Sequence, residues 1–376
     1  MVIMKKILFL TGTRADFGKI KSILIELNES DLFHIEIFIT GMHMLSKYGA
    51  TFEEVELLEI GHCFKFVNQS ENDAMDSILS KTISGFGDYV REFKPDLIIV
   101  HGDRVEALAG ASVGSLNNIH TAHIEGGEIS GTIDELIRHA VSKLSHSHFV
   151  SNHEAKKRLM NMGEHEKNIH VIGSPDIDLM SSDSLPKIEM VKERYEIDYH
   201  DYSIAMYHPV TTDLDNLKLD IDSFVRALVD SEKNYILIYP NNDLGTQIII
   251  DAYSELNENV NFRIFPSMRF EYFLSLMKNA DFIIGNSSAG IREAPYFGIP
   301  TIDIGTRQNN RSKAESICHV SNNYQEIITA ISKIGSRKIQ PSSEFGDGNS
   351  AKLFLETVSR EKFWNFSPQK TFNDID

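Results

Sequence analysis

Short apolar runs alternate with amphipathic stretches along almost the whole chain, the pattern of parallel strands joined by helical crossovers. In the first half, Ile7–Leu10, Ile35–Thr40, Leu97–Val100, Thr121–Ile124, His148–Val150 and Ile169–Ile172 predict strands. Between them, Lys19–Leu27, Ala74–Phe93, Val105–Leu116, Asp134–Leu144 and Glu154–Met162 carry apolar residues at helical spacing and predict helices. From Gly173-Ser174-Pro175 to Leu185-Pro186 the chain turns polar and punctuated, which predicts a linker. A second set of strands then follows near Ile204–Tyr207, Ile236–Tyr239, Asn261–Phe265, Phe282–Gly285 and Thr301–Ile304. The stretch from Ala351 to Trp364 predicts a docking helix, with a less ordered tail after it. The expected class is α/β, with doubly wound domains over 1–175 and 176–350 and a C-terminal helix and tail over 351–376 packing back on the first domain.

A length of 376 residues and 41% hydrophobic content can fill two cores of ordinary size. The net charge of -17 argues against a nucleic-acid surface, which needs clustered lysine and arginine. Any anionic ligand must therefore be held by local groups. Cys63 and Cys318 are the only cysteines, so the chain offers neither a disulfide framework nor a cysteine zinc site, and a reducing cytoplasm is the expected compartment. The start leads directly into the first predicted strand, and no apolar run approaches the roughly 18 to 20 residues of a membrane span. The expectation is a soluble, unexported protein without a membrane partner.

The candidate chemistry lies where strands hand over to helices. Gly285-Asn286-Ser287-Ser288-Ala289-Gly290 turns through small and hydroxyl residues towards Ile291-Arg292-Glu293-Ala294, a place where backbone N–H groups and a helix start can meet an anion. Thr11-Gly12-Thr13-Arg14-Ala15-Asp16 follows the first strand but is not a dinucleotide loop, because Arg14 and Asp16 stand where such a loop stays small. Asp103 and Arg104 follow one strand and Glu125 the next, with Gly126-Gly127 allowing close backbone approach. Asp134 and Glu135 open a helix whose next turn carries Arg138 and His139; acids there also serve as dipole partners. In the second half His208, Asn241 and Arg307 each follow a predicted strand, and Arg307 can reach a pyrophosphate with two hydrogen bonds. No cluster of histidines or cysteines has metal-ligand spacing.

As an ordered set these segments resemble the UDP-N-acetylglucosamine 2-epimerases, in particular the hydrolysing branch of bacterial sialic-acid synthesis. The resemblance runs from Thr11–Asp16 through His101–Arg104, His123–Asp134, Ile137–His139, His208–Asp213 and Gly285–Glu293 to Gly305–Gln308. It implies a GT-B-like fold, two Rossmann-like domains facing a central cleft. Asp103, Glu125 and Asp134, with His208 beside them, are implied as catalytic residues. Arg14, Arg104, His208, Asn241, Gly285, Asn286, Ser287, Ser288, Glu293 and Arg307 are implied as the set that holds UDP. The implied reaction eliminates UDP to give a 2-acetamidoglucal and then adds water to give free N-acetylmannosamine, with no cofactor and no metal. A homodimer or homotetramer is implied. The related branch acting on UDP-N,N'-diacetylbacillosamine in legionaminic-acid synthesis, the non-hydrolysing epimerases and a non-catalytic sugar-nucleotide sensor are the alternatives.

Overall fold

The computed structural model describes residues 4–71, 73–130, 132–181, 185–241, 243–335 and 339–374. The chain divides into two compact units, one formed by Met1–Glu128, Asp134–Ser182 and Phe345–Asp376, the other by Ile129–Ile133 and Asp183–Glu344. Strands of the first unit are β1 (Lys5–Thr11), β2 (Phe33–Ile39), β3 (His62–Lys65), β4 (Leu97–His101), β5 (His120–Ile124), β6 (Ser147–Val150) and β7 (Ile169–Val171). Those of the second are β8 (Ser203–Met206), β9 (Tyr235–Ile238), β10 (Phe262–Phe265), β11 (Ile283–Gly285), β12 (Thr301–Ile304) and β13 (Ile317–Val320). The sheets run β3-β2-β1-β4-β5-β6-β7 and β10-β9-β8-β11-β12-β13, and every pairing is parallel. Each is a doubly wound sheet whose order reverses beside its first strand, between β1 and β4 or between β8 and β11. Ligands of such sheets bind outside the carboxyl ends of the strands at that switch point.

Burial on both faces explains why the central strands read as unbroken apolar runs. In β1, Ile7 and Phe9 join the core under the helices Arg14–Asn28 and Ser350–Val358, while Leu8 and Leu10 are buried on the other face. The edge strands β3 and β13 fall outside the sequence expectation. His62-Cys63-Phe64-Lys65 and Ile317-Cys318-His319-Val320 are mostly exposed, so no apolar run marks them, and the ladder of one neighbour holds each in place. Cys318 is accordingly exposed rather than set in apolar surroundings.

The predicted linker needs correction at its start. Pro175–Ser181 is a helix of the first unit, with proline at the helical position where its missing N–H costs nothing. Its Asp178 accepts hydrogen bonds from the backbone N–H groups of Ser350 and Ala351, at 2.8 and 2.7 Å, and so caps the returning helix Ser350–Val358. That helix buries Phe354 against Phe149, ring centroids 4.4 Å apart. The sequence predicts less order in the tail beyond it, but its residues as far as Asn373 are tied to the first unit, and residues 375 and 376 lie outside the described residues. Lys370 Nζ donates to the carbonyls of Ser142, Lys143 and Ser145, and the Asn373 N–H donates to the Gly163 carbonyl at 2.9 Å. Among the described residues no helix is long and apolar enough to cross a membrane.

Candidate active site

In the first unit a chain of charged groups starts at the end of β1. Thr13 caps the helix Arg14–Asn28 by accepting from the Asp16 N–H. Asp16 turns its carboxylate back to accept from Thr11 Oγ1 at 2.8 Å and from the Gly12 N–H at 3.2 Å. Its other oxygen lies 2.7 Å from Nδ1 of His101, the last residue of β4, and His101 Nε2 lies 3.3 Å from Oε2 of Glu125. Burial opposes a charge on this ring, yet the Glu125 carboxylate and the hydrogen bond to Asp16 outweigh it and hold His101 up to about 9. His101 is therefore an imidazolium between two carboxylates at neutral pH.

Glu125 follows β5 with φ of 64°, a left-handed conformation that a non-glycine residue seldom adopts. The strain is over-determined by its surroundings. The Glu125 N–H donates to the Phe149 carbonyl at 2.9 Å, Ser174 Oγ donates to its Oε1 at 2.6 Å, and Lys19 Nζ stands 4.0 Å from the same oxygen. Asp103 lies one strand away. Arg138, buried in the helix Thr132–Leu144, donates both to the Asp103 carboxylate and to the Glu125 carbonyl. Asp134 is one helical turn before Arg138, on the same face and itself buried. The structure thus brings Asp103, Glu125 and the Asp134 helix together through one guanidinium. Arg104 precedes the helix Val105–Leu116, where its charge opposes the rise that burial imposes on the Glu106 carboxyl. Arg14 instead gives Nε and NH2 to the two oxygens of Glu54, the first at 3.0 Å, in a half-buried ion pair.

The second unit has amide side chains at the equivalent place, beside the buried Arg292, Glu293 and Arg307. Gly285 ends β11 with φ of 135°, and a Cβ there would stand 1.9 Å from the Met206 carbonyl oxygen, so only glycine lets β11 approach β8 so closely. Asn286 then spans the switch point: its Oδ1 accepts from the His208 N–H at 2.6 Å and its Nδ2 donates to the His208 carbonyl at 2.9 Å. Its own carbonyl accepts from Arg307 NH1 at 3.1 Å and Gln308 Nε2 at 2.8 Å. The Asn241 N–H donates to His208 Nδ1 at 3.4 Å, so that ring nitrogen is an acceptor. The expected helix after the turn is shorter than the sequence implied. Ser288–Gly290 is a single 3-10 turn capped by Ser287, and the helix opened by buried Glu293 ends at Tyr296, with Pro295 inside it. So short a helix carries little macrodipole.

His101, Lys19, Ser174, Arg138 and Gln308 belong to these networks although the sequence reading gave them no role. Arg138 had a signal, its four-residue spacing from Asp134. Ser174 had none, because 49 residues separate it from Glu125. Among the described residues no three His, Cys, Asp or Glu side chains are grouped to hold a metal ion.

The sequence model of the UDP-N-acetylglucosamine 2-epimerase family matches residues 25–359. The chain belongs to that family. It is 46% identical to the UDP-N-acetylglucosamine 2-epimerase of Neisseria meningitidis serogroup B, over 99% of this chain and 100% of the relative. It is 33% identical to the hydrolysing UDP-N,N'-diacetylbacillosamine 2-epimerase of Legionella pneumophila, over 93% and 94% of the two chains. Two solved epimerases share its GT-B-like fold. That from Methanocaldococcus jannaschii, in complex with UDP-GlcNAc and UDP, has a TM-score of 0.80 at 22% identity and covers 95% of this chain and 99% of its own. A Neisseria meningitidis enzyme bound to UDP-GlcNAc has a TM-score of 0.78 at 22% identity, covering 94% and 99%.

Proposed function

We propose that this epimerase-family chain is a hydrolysing UDP-N-acetylglucosamine 2-epimerase of the cytoplasm, converting UDP-N-acetylglucosamine and water to N-acetylmannosamine and UDP as the first step of sialic-acid assembly. The observation that carries the reading is Arg138 donating to the Asp103 carboxylate and to the Glu125 carbonyl from the helix that also bears buried Asp134, in a chain 46% identical, end to end, to a UDP-N-acetylglucosamine 2-epimerase. Carbon 2 of the sugar is weakly acidic, so its proton leaves only as the carbon 2–hydrogen pair forms the bond to carbon 1 and the pyrophosphate departs with the carbon 1–oxygen pair. The carbon 2–hydrogen and carbon 1–oxygen bonds break and a carbon 1–carbon 2 double bond forms. Water then adds, its oxygen to carbon 1 and a proton to carbon 2 on the opposite face. Carboxylates in unlike environments suit these opposed proton transfers, and here one is salt-bridged to Arg138 while another is buried beside an imidazolium.

Arg307, Ser287, Ser288, Asn286 and Asn241 in the second unit, with His208 and Glu293, form the UDP-holding group in this reading; Arg14 and Arg104 are assigned to substrate from the first unit. Solved relatives that hold UDP-GlcNAc and UDP support the ligand class. The Legionella relative supports a second reading, with UDP-N,N'-diacetylbacillosamine as substrate. Incubation with each sugar nucleotide in deuterated water tests both. The expected product is free N-acetylmannosamine carrying deuterium at carbon 2, with UDP released; recovery of UDP-N-acetylmannosamine alone would overturn the hydrolysing assignment. A homodimer or homotetramer completes the proposal, and light scattering checks it.

A further inference from the structure

A cavity of about 440 Å³ lies in the first unit beside the amino ends of β6 and β7. Glu125 follows the carboxyl end of the neighbouring β5, whose first residue, His120, stacks on two rings that line this cavity, Phe363 at 4.7 Å and Phe366 at 4.3 Å. Five residues of strand, about 3.3 Å each, separate that ring from Glu125, so the cavity is not part of the site described above.

Its charge is opposite to that of the chain. Lys167, Arg360, Lys362 and Lys370 line it with Glu164 as the one carboxylate, in a protein of net charge -17. Glu164 is already neutralised, by Lys143 and Lys370 at 2.7 Å each and by His148 at 3.1 Å. Among the described residues Lys167 and Lys362 make no ion pair, and Arg360 has only an exposed 4.0 Å contact with Glu356. Three cations therefore face a concavity without a compensating anion. Burial pushes two lining histidines down, His170 to about 4 and His146 below its usual value; His148, then Arg360 and Lys362, add to the first and Lys370 to the second.

We propose that this cavity binds a small molecule through a phosphate or diphosphate group. The volume lies in the range of small-molecule sites, roughly 300–1,000 Å³. A dianion meets Arg360 in the fork geometry that suits phosphate, with Lys167 and Lys362 as point charges from the two flanking segments. Phe366 supplies an apolar wall for the rest of the ligand.

Trp364, the only tryptophan, reports on the cavity through Phe363, a lining residue against whose ring its own packs edge-on with centroids 5.4 Å apart. Titration of the full chain with pyrophosphate at constant ionic strength should change its fluorescence saturably. The paired substitution Arg360→Glu and Lys362→Glu, and separately Lys167→Ala on the other segment, should weaken binding roughly tenfold or more at unchanged melting temperature. Arg307→Ala, in the other unit, should leave the response intact, which separates this site from the proposed UDP site. Absence of a saturable response, equal affinity in the charge-reversed protein, or loss of the response in Arg307→Ala would each overturn the proposal.

Discussion

Between β1 and β4 the first unit gathers Asp16, His101, Lys19, Asp103 and Arg138 around Glu125, whereas between β8 and β11 the second ties Asn286, Gln308, the His208 backbone and Arg307 together, with Arg292 and Glu293 also buried in that segment. Both sheets begin with the same strand order, reverse direction at the same place and put these groups at strand ends. The fold therefore supplies the position and the side chains supply the chemistry. In the first unit ionised groups hold one another, so removing one leaves another charge buried. In the second unit amide hydrogen bonds tie Asn286 to the His208 backbone, and Arg307 donates to the Asn286 carbonyl.

The sharpest way to break this contrast is to remove a proton-transfer group without changing shape. Asp103→Asn and Glu125→Gln should each lower turnover roughly 100-fold or more while UDP affinity, measured by calorimetry, is kept. Parent-like turnover in either would make that carboxylate a structural partner of Arg138 or His101. Next comes the imidazolium itself. The His101 pKa, about 9, is raised above the ordinary 6.5, so the stability it contributes is complete below pH 6.5 and is lost as pH rises through about 9. The loss should approach roughly 3 kcal/mol in denaturant melts. His101→Gln should remove that alkaline limb, and an unchanged stability profile would show that the ring is neutral in the folded protein. In the second unit, Arg307→Ala should weaken UDP binding by roughly 1.5–3 kcal/mol with stability little affected. Unchanged affinity in a folded variant would take Arg307 out of the nucleotide site.

Much of this is legible in the sequence. Central strands announce themselves because burial on both faces demands an unbroken apolar run, and strand ends locate Asp103, Glu125 and His208 once the sheet is doubly wound. The edge strands β3 and β13 were not legible, since one open side removes the apolar signature. Nor was the helix Pro175–Ser181: its polar residues look like linker until Asp178 is seen capping a helix that returns from far along the chain. Site residues failed for a related reason. His101 reads as the polar end of a strand, and only the packing of β1 against β4 sets Asp16 beside it. Arg14 also gains a partner that its sequence position does not show, the carboxylate of Glu54, 40 residues away.

The smallest effect should come from the one acid of the second sheet that lies near its arginines. Asp303 on β12 is buried, with Oδ2 2.8 Å from His319 Nδ1. Burial raises its pKa from 3.8 to about 6 even though the His319 hydrogen bond and the charges of Arg311 and Arg307 pull the other way. A carboxyl with a raised folded pKa stabilises the fold fully below about pH 3.8, and that contribution fades as pH climbs through about 6. Asp303→Asn keeps an acceptor for His319 and never ionises, so it should match the parent near pH 4 and exceed it above pH 6. Allowing for the partly exposed histidine, the gain should be roughly 1–2 kcal/mol. Denaturant melts at the two pH values decide the matter. A variant less stable than the parent at pH 7 would mean that the Asp303 charge is needed by His319 or the arginines, and the second unit would then rest on a buried ion network as the first one does.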